Sequence, residues 1–178
     1  MIFRDLAPAD YNNFLRLYED SFPSEERRHY ADAQALDDFI KARNGKFRCF
    51  VAEDSDGFFA GFLTYWNFKG FTYVEHFAVN PEMRGNNIGT RMLRHLTEEV
   101  SPSVLLEVEM PETDFARRRI GFYERNGFRV RDEFKYIQPP YSPGLPSLEL
   151  LLMTHGDVPL RSSLDLAEML SDVYGVGK

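Results

Sequence analysis

The sequence predicts an α/β domain with a mixed sheet, and three observations lead to this prediction. Apolar, strand-like runs alternate along the chain with segments whose apolar residues recur at helical spacing. Three successive runs are joined by short polar or Gly-containing links, which favour antiparallel hairpins. Hydrophobic residues make up 43% of the 178-residue chain, and aromatic residues make up 15%, so the chain can build a sizeable core.

The chain begins with a predicted strand and two predicted helices. The alternating run MIFRDL predicts the strand, and APADYNNFLRLYEDSF predicts a helix whose apolar residues are Tyr11, Phe14, Leu15 and Tyr18. A second helix is predicted from about Asp32 to Arg43, and Asn44-Gly45 closes it. The next three strands are predicted over KFRCFVAED, FFAGFLTYWNF and FTYVEHFAVN.

The second half continues the alternation of helix and strand. A helix from Ile88 to about Val100 precedes the strand SVLLEVEM, and DFARRRIGFYERNGF predicts another helix. FRVRDEFKYI and SLELLLMT predict two further strands, joined by the proline-rich loop QPPYSPGLP. In the last helix, SLDLAEMLSDVY, the inward residues are predicted to be Leu164, Ala167 and either Leu170 or Met169. We predict a single domain over residues 1–178, with 158–178 as a C-terminal helical extension.

Composition excludes several classes of function. A formal net charge of -7 disfavours nonspecific binding to DNA or to anionic membranes. It suits a cationic partner such as an amine, although solubility alone also explains it. Cys49 is the single cysteine and is expected to be a buried structural thiol, and the four histidines lack metal-ligand spacing, so no metal site is expected. No apolar run approaches the ~20 residues of a membrane span, so a cytoplasmic location is expected.

The stretch VNPEMRGNNIGTRML joins a predicted strand to a predicted helix, and its centre from Arg84 to Thr90 has two glycines and two asparagines. Free N–H groups and the helix dipole make such a helix start an anion site, and glycines let the backbone approach a phosphate closely. A P-loop is excluded because no lysine follows Gly89. A dinucleotide fingerprint is excluded because Gly85 and Gly89 do not provide its three glycines.

The same stretch resembles the coenzyme A pyrophosphate loop of the GNAT N-acetyltransferase superfamily, which reads Q/R-x-x-G-x-G/A. Arg84 holds the first position and Gly89 the last, whereas Asn87 stands where the family has its middle glycine. ARRRIGFYERNGF resembles the late helix of the family, and the order of elements fits nearly the whole chain. Because Asn tolerates left-handed backbone angles, we expect Asn87 to adopt such a conformation with its N–H facing the anion.

The resemblance implies a GNAT-like fold, mostly antiparallel with splayed central strands, that uses acetyl-CoA as co-substrate. An amine would attack the thioester directly, without an enzyme nucleophile. The backbone of the strand before the loop would pair with the pantetheine arm through Phe77, Ala78 and Val79. The pyrophosphate would be lined by Arg84, Gly85, Asn86, Asn87, Ile88, Gly89 and Thr90.

Two catalytic roles are predicted. Tyr123 matches the family tyrosine that protonates the departing thiolate, and its alternative is a core tyrosine that shares a face with Ala116 and Ile120. The family fixes no position for the base. Glu75, on the strand feeding the loop, is the first candidate, and Glu107 and Glu109 on the next strand are the others. Each of these carboxylates has the alternative of lying on a solvated strand face.

The acceptor is expected to be a small-molecule or peptide amine, and the protein a monomer or homodimer without a nucleic-acid partner. Glu25 and Glu26 lie where the family has a loop that borders the acceptor, and their alternative is a solvated helix start with Glu–Arg pairing. Tyr141 contacts the substrate or packs on the neighbouring prolines. The alternative function is a coenzyme A-binding or ligand-sensing module without turnover, which the departure at Asn87 supports.

Overall fold

A computed structural model describes residues 1–177 and places eight strands and five α-helices in them. These residues form two compact units. Unit 1 comprises Met1–Asn67 and Val74–His95, whereas unit 2 comprises Phe68–Tyr73 and the chain from Leu96 onward.

Unit 1 contains the N-terminal strands and helices and the loop motif. Its elements are β1 (Ile2–Asp5), α1 (Tyr11–Ser21), α2 (Ala33–Ala42), β2 (Phe47–Glu53), most of β3 (Phe59–Phe68), the end of β4 (Phe71–Val79) and α3 (Ile88–His95). β2 pairs antiparallel with β1 on one side and with β3 on the other, and β4 is the next neighbour of β3. The predicted hairpin between β2 and β3 is therefore confirmed.

Aromatic packing joins the helices of unit 1 to its strands. On α1, Phe14 and Tyr18 are 1% exposed, and the ring of Phe14 lies 4.4 Å from that of Phe62 on β3. Leu36 of α2 is fully buried in the same cluster, which also contains Cys49. The expectation of a buried thiol is confirmed, and burial raises the pKa of Cys49.

Unit 2 is organised around its longest strand. Its elements are β5 (Val104–Glu109), α4 (Asp114–Arg125), β6 (Arg129–Val130), β7 (Tyr136–Gln138), β8 (Leu148–His155) and α5 (Ala167–Tyr174). β8 pairs antiparallel with β5, β6 and β7. Residues of β5 in the middle of the strand are buried, and Glu107 lies opposite Leu152 in this pairing.

The predicted strand over FRVRDEFKYI is wrong, because the structure divides it into β6 and β7. The polar segment between the two strands turns, and the N–H of Phe134 lies 3.3 Å from the carbonyl oxygen of Arg131. Both short strands pair with β8, β6 near its C-terminal end and β7 near its N-terminal end. The turn therefore lets one long strand accept two short partners.

The predicted inward face of the last helix is also wrong in part. Leu164 is 81% exposed and Ala167 is exposed, whereas Leu166, Met169 and Val173 are buried. A 3-10 turn at Ser163–Leu166 precedes α5, so the helical spacing cannot be extended backward from α5 to Leu164. Buried residues at i, i+3 and i+7 from Leu166 form the inward face instead.

The predicted α/β class, with a mostly antiparallel sheet and helices packed on it, is confirmed. The single-domain assignment and the splayed strands stay predictions. Within residues 1–177, no helix combines the length and apolarity that crossing a membrane requires.

Candidate active site

The chain turns from β4 into α3 through a loop with two left-handed residues. Asn80 opens the turn, and its side chain accepts a hydrogen bond from the N–H of Glu82 at 3.1 Å. Gly85 has φ 88 and Asn87 has φ 55, and Ile88 is the first residue of α3. The N–H of Arg91 donates to the carbonyl oxygen of Asn87 at 3.0 Å, which closes the first helical turn. The left-handed conformation expected of Asn87 is thus confirmed.

Most residues of this loop are exposed to solvent, and one buried side chain anchors it. Arg84, Gly85, Asn86, Asn87 and Thr90 are exposed, whereas the side chain of Ile88 is buried and fixes the start of the helix. A Cβ added at Gly85 would meet no atom within 4 Å, so the space above this residue is open. The N–H groups of the first turn of α3 have no carbonyl partner within the helix, which makes this an anion-binding geometry.

The end of β4 is held close to β3 by a glycine. A Cβ at Gly61 would lie 2.5 Å from the carbonyl oxygen of Ala78 and 3.2 Å from the Cα of Val79, so only glycine fits there. The N–H of Asn80 also donates to the carbonyl oxygen of Ala60 at 2.9 Å. These contacts fix the backbone of the segment predicted to bind the pantetheine arm.

Tyr123 lies near the C-terminal end of α4 in unit 2. It is 4% exposed, and its ring contacts those of Phe122 and Phe128 at centroid distances of 5.4 and 5.6 Å. The Thr113 side chain caps α4 by accepting a hydrogen bond from the N–H of Ala116 at 3.0 Å. Packing against the rings of Phe122 and Phe128 fixes the position of Tyr123 near the end of the helix. Its role as general acid stays a prediction.

Glu75 is an ion-paired carboxylate in unit 1. Its side chain is 1% exposed, and its Oε1 accepts a hydrogen bond from Arg28 Nη2 at 2.7 Å. The indole N–H of Trp66 donates to its Oε2 at 2.8 Å. The guanidinium of Arg28 also lies over the ring of Phe39, 4.8 Å from the centroid.

This pairing makes Glu75 a weak base. Burial opposes its ionisation, but the charges of Arg28 and His76 and the bond from Trp66 outweigh burial, so the pKa of Glu75 lies below its usual value. The assignment of Glu75 as general base stays a prediction, and its geometry favours anchoring the segment that carries Arg28.

Glu107 has a different environment in unit 2, because all its partners are neutral. The hydroxyl of Tyr136 donates to Oε1, and Nε2 of Gln138 donates to Oε2 at 2.8 Å. The hydroxyl of Tyr174 donates to Oε2 at 3.0 Å. Tyr136 and Gln138 are two residues apart on β7, so their side chains share one face of the strand. Burial raises the pKa of Glu107 to about 7, and the hydrogen bonds only partly oppose this rise.

The other predicted acceptor residues are divided between the units. Glu25 is exposed and Glu26 partly exposed in a 3-10 turn of unit 1, where Glu25 accepts a hydrogen bond from the Ser24 hydroxyl at 3.1 Å. In unit 2, Glu109 Oε2 lies 3.6 Å from Arg119 Nη1, and the ring of Tyr141 packs against that of Tyr174 at 5.1 Å. The substrate-binding roles of these residues stay predictions.

The residues that sequence reasoning missed are the partners of the two carboxylates. The sequence contains a local signal for Tyr136 and Gln138, because these buried residues alternate with the exposed Ile137 as in a strand. Tyr174 lies 67 residues from Glu107, so no local pattern could have paired them. The same holds for Arg28 and Glu75, which are 47 residues apart.

Replacing Arg28 by Met should destabilise the protein in a pH-dependent way. Removing one partner of a buried ion pair leaves an uncompensated charge, and we expect a loss of about 3 kcal/mol in the free energy of unfolding at pH 8. In the wild type, the lowered pKa of Glu75 gives stability above its unfolded value of 4.5 that is lost at lower pH. Without Arg28, burial raises this pKa, so the stability contributed by Glu75 is lost as pH rises.

Urea unfolding at pH 4.5 and pH 8 measures this difference, which should be larger at pH 8. Arg48→Met is the control, since it removes an exposed ion pair with Asp5 in the same unit and should cost under about 1 kcal/mol. An equal loss for Arg28→Met at both pH values would contradict the account.

Comparison with known proteins identifies the family. The profile of the acetyltransferase (GNAT) domain matches residues 45–130. The solved structure of a Bacteroides thetaiotaomicron protein, assigned to the GNAT-family acetyltransferases, matches with a TM-score of 0.86 and 38% identity, and the match covers 99% of each chain.

Two further proteins are more distant. YjbC of Bacillus subtilis (strain 168), classed as an acetyltransferase, is 26% identical over 126 residues, which are 70% of this chain and 60% of YjbC. The chain thus spans less than two thirds of that curated relative. Spermidine N-acetyltransferase of Vibrio cholerae, solved in complex with CoA and spermine, shares the fold with a TM-score of 0.64 at 17% identity, over 86% of this chain and 93% of that chain. On the strength of the full-length match and the domain profile, the chain belongs to the GNAT acetyltransferase family.

Proposed function

We propose that the protein transfers an acetyl group from acetyl-CoA to a primary amine by direct attack. The observation that carries this proposal is the loop before α3, where Gly85 and Asn87 both have left-handed backbones. An Asn that keeps the path of the family's middle glycine preserves an anion cradle despite the sequence change. Family membership supports the same chemistry.

The loop and the end of β4 would hold the coenzyme. Amides of the loop from Gly85 to Thr90 would bind the diphosphate, and Arg84, which is exposed beside them, would add positive charge. The backbone of Phe77–Val79 would pair with the pantetheine arm. Glycine at position 61 would keep this backbone in place, because no side chain fits between β3 and β4 there.

The reaction removes two protons from the amine nitrogen and supplies one to sulfur. A base takes the first proton from the ammonium group, and the free amine attacks the thioester carbonyl carbon. As the C–S bond breaks, the sulfur leaves as a thiolate, and the Tyr123 hydroxyl donates a proton to it. The nitrogen loses its second proton to solvent to give the amide, and the tyrosinate is reprotonated from solvent, so no enzyme nucleophile enters the sequence.

The acceptor we propose is a cationic primary amine. The net charge of -7 favours approach of cations, and Glu25 and Glu26 place carboxylates on the exposed turn of unit 1. The Vibrio cholerae enzyme, which shares the fold, was solved with CoA and the polyamine spermine. Polyamines therefore belong in any panel of candidate acceptors, together with peptide amines and amino-sugar antibiotics.

The first experiment measures release of the CoA thiol from acetyl-CoA in the presence of such an amine panel. We expect thiol release that depends on a primary amine and is absent with the matching trimethylammonium compound, which has no N–H to lose. Saturating CoA should also raise the melting temperature, because a ligand that binds only the native state stabilises it.

Two results would overturn the proposal. Stabilisation by CoA without thiol release from any amine would support the alternative of a non-catalytic coenzyme A-binding module. No stabilisation by CoA would contradict the assignment of the loop itself.

Replacing Tyr123 by Phe should lower kcat by roughly 100-fold, as expected for loss of a general acid. CoA-induced stabilisation should persist, since the ring remains and the loop is unchanged. The measurement is the steady-state rate against pH, with the amine that gives thiol release. Tyr65→Phe is the matched control, because it removes another buried hydroxyl from a residue that is 3% exposed. A Tyr123→Phe variant with the wild-type rate across the pH range would show that another group protonates the thiolate.

A further inference from the structure

We propose that Glu107 accepts the proton from the acceptor amine and that Tyr174 of α5 positions it for this step. The inference rests on the proposed acetyltransferase function and assigns the base that the family pattern leaves open. It also gives the C-terminal helix a part in catalysis.

The carboxyl group of Glu107 is held in place by three side chains from two elements. Tyr136 and Gln138 bind it from β7, and Tyr174 binds it from the last residue of α5. Gln138 Nε2 also donates to the Tyr174 hydroxyl at 2.9 Å, and the hydroxyls of Tyr73 and Tyr174 are 2.9 Å apart. This connected set of hydrogen bonds fixes the position of the carboxyl oxygens, as proton transfer requires.

No cation neutralises this carboxylate within the described residues. Glu75 is paired with Arg28, and Glu109 lies 3.6 Å from a guanidinium nitrogen of Arg119. The charge of Arg28 stabilises the ionised form of Glu75 and so makes it a poorer proton acceptor. Among the three predicted bases, Glu107 is the one whose described partners are all neutral.

Glu107 keeps some exposed surface as a residue, whereas its neighbours on β5, Leu106 and Val108, are 2% and 3% exposed. Tyr174 and Tyr141, whose rings pack together, are likewise partly exposed. The partly exposed Tyr174 binds the carboxylate through its hydroxyl, and its ring beside that carboxylate suits an ammonium group, because aromatic faces attract cations.

The titration of Glu107 suits a base that works near neutral pH. The groups that face Glu107 carry no charge. Leu152 lies across the β5–β8 pair. The hydrogen-bond donors are Tyr73 from β4, Tyr136 and Gln138 from β7, and Tyr174 from α5. Burial places the pKa of Glu107 at about 7, so the group takes up and releases a proton readily at that pH. Loss of one donor should raise this pKa further, because each bond favours the ionised form.

In the proposed step an N–H bond of the ammonium group breaks, and its proton goes to a carboxylate oxygen of Glu107. The electron pair of that bond stays on nitrogen and forms the C–N bond to the thioester carbonyl carbon. The C–S bond then breaks, the departing sulfur takes a proton from Tyr123, and the nitrogen loses its second proton to solvent to give the amide. The carboxylic acid of Glu107 releases its proton to water before the next turnover.

The competing explanation is that the cluster only anchors α5. The test is the pH dependence of kcat/KM for wild type, Glu107→Gln and Tyr174→Phe, using the amine that supports thiol release. Wild type should lose activity below an apparent pKa of about 7, and this fall on the acidic side of the profile is its acid limb. Glu107→Gln should lower kcat/KM at pH 7.5 by about 100-fold and abolish this acid limb. Tyr174→Phe should move the limb to higher pH.

Glu149→Gln is the matched control, because it removes an exposed carboxylate from the adjacent strand β8 and should change neither the rate nor the limb. CoA-induced stabilisation of Glu107→Gln should match wild type, which separates loss of the base from loss of the coenzyme site.

The proposal is overturned if Glu107→Gln keeps the acid limb and a rate within about threefold of wild type. It is also overturned if Tyr174→Phe lowers the rate equally at all pH values, since that is the result of a purely anchoring role. In either case, amine-dependent thiol release by the wild type would leave the acetyltransferase proposal standing. Absence of that release would overturn both proposals.

Discussion

The left-handed backbone at Asn87 is the constraint on which the proposed coenzyme site depends. With φ 55 at Asn87 and φ 88 at Gly85, the chain leaves β4, turns, and starts α3 at Ile88. A residue with ordinary angles at position 87 would redirect the start of the helix. Burial of Ile88 directly after it keeps the turn in place, so conformation and packing reinforce each other. The sequence departs from the family's pattern here, but Asn87 has the left-handed angles that glycine adopts freely.

Glu75 on β4 and Glu107 on β5 show how the partners of a glutamate determine its pKa. Glu75 is held by Arg28 and Trp66, which stabilise its charge, whereas Glu107 is held by neutral hydroxyl and amide donors. The pKa of Glu75 is lowered, and that of Glu107 is raised to about 7. One residue type therefore serves as a structural anion in unit 1 and as the proposed proton acceptor in unit 2. The difference arises from the partners, which lie far away along the chain.

Much of the fold could be predicted from the sequence because its signals are local. Helical and strand periodicities indicate α1 to α4 and β1 to β5. Asn87 could be assigned a left-handed backbone because it stands at the family's middle glycine and Asn tolerates such angles. The division of FRVRDEFKYI into β6 and β7 could not be predicted, since it depends on pairing with β8. The face of the last helix depends on a 3-10 turn that disrupts the spacing. The partners of Glu107 were missed for the same reason, because contacts across 67 residues leave no local pattern.

The most direct test of the central claim is the affinity for CoA of two variants at position 87, measured by calorimetry. Asn87→Gly should bind CoA within about threefold of wild type, because glycine adopts the left-handed angles freely. Asn87→Val should bind roughly 10-fold more weakly or worse, since strain of about 1–3 kcal/mol falls on the loop. Asn44→Val is the matched control: Asn44 also has a left-handed backbone, φ 46, but follows α2, so the variant should lose stability and keep the affinity. Wild-type affinity in Asn87→Val, or loss of binding in Asn87→Gly, would contradict the claim that backbone conformation at this residue forms the coenzyme cradle.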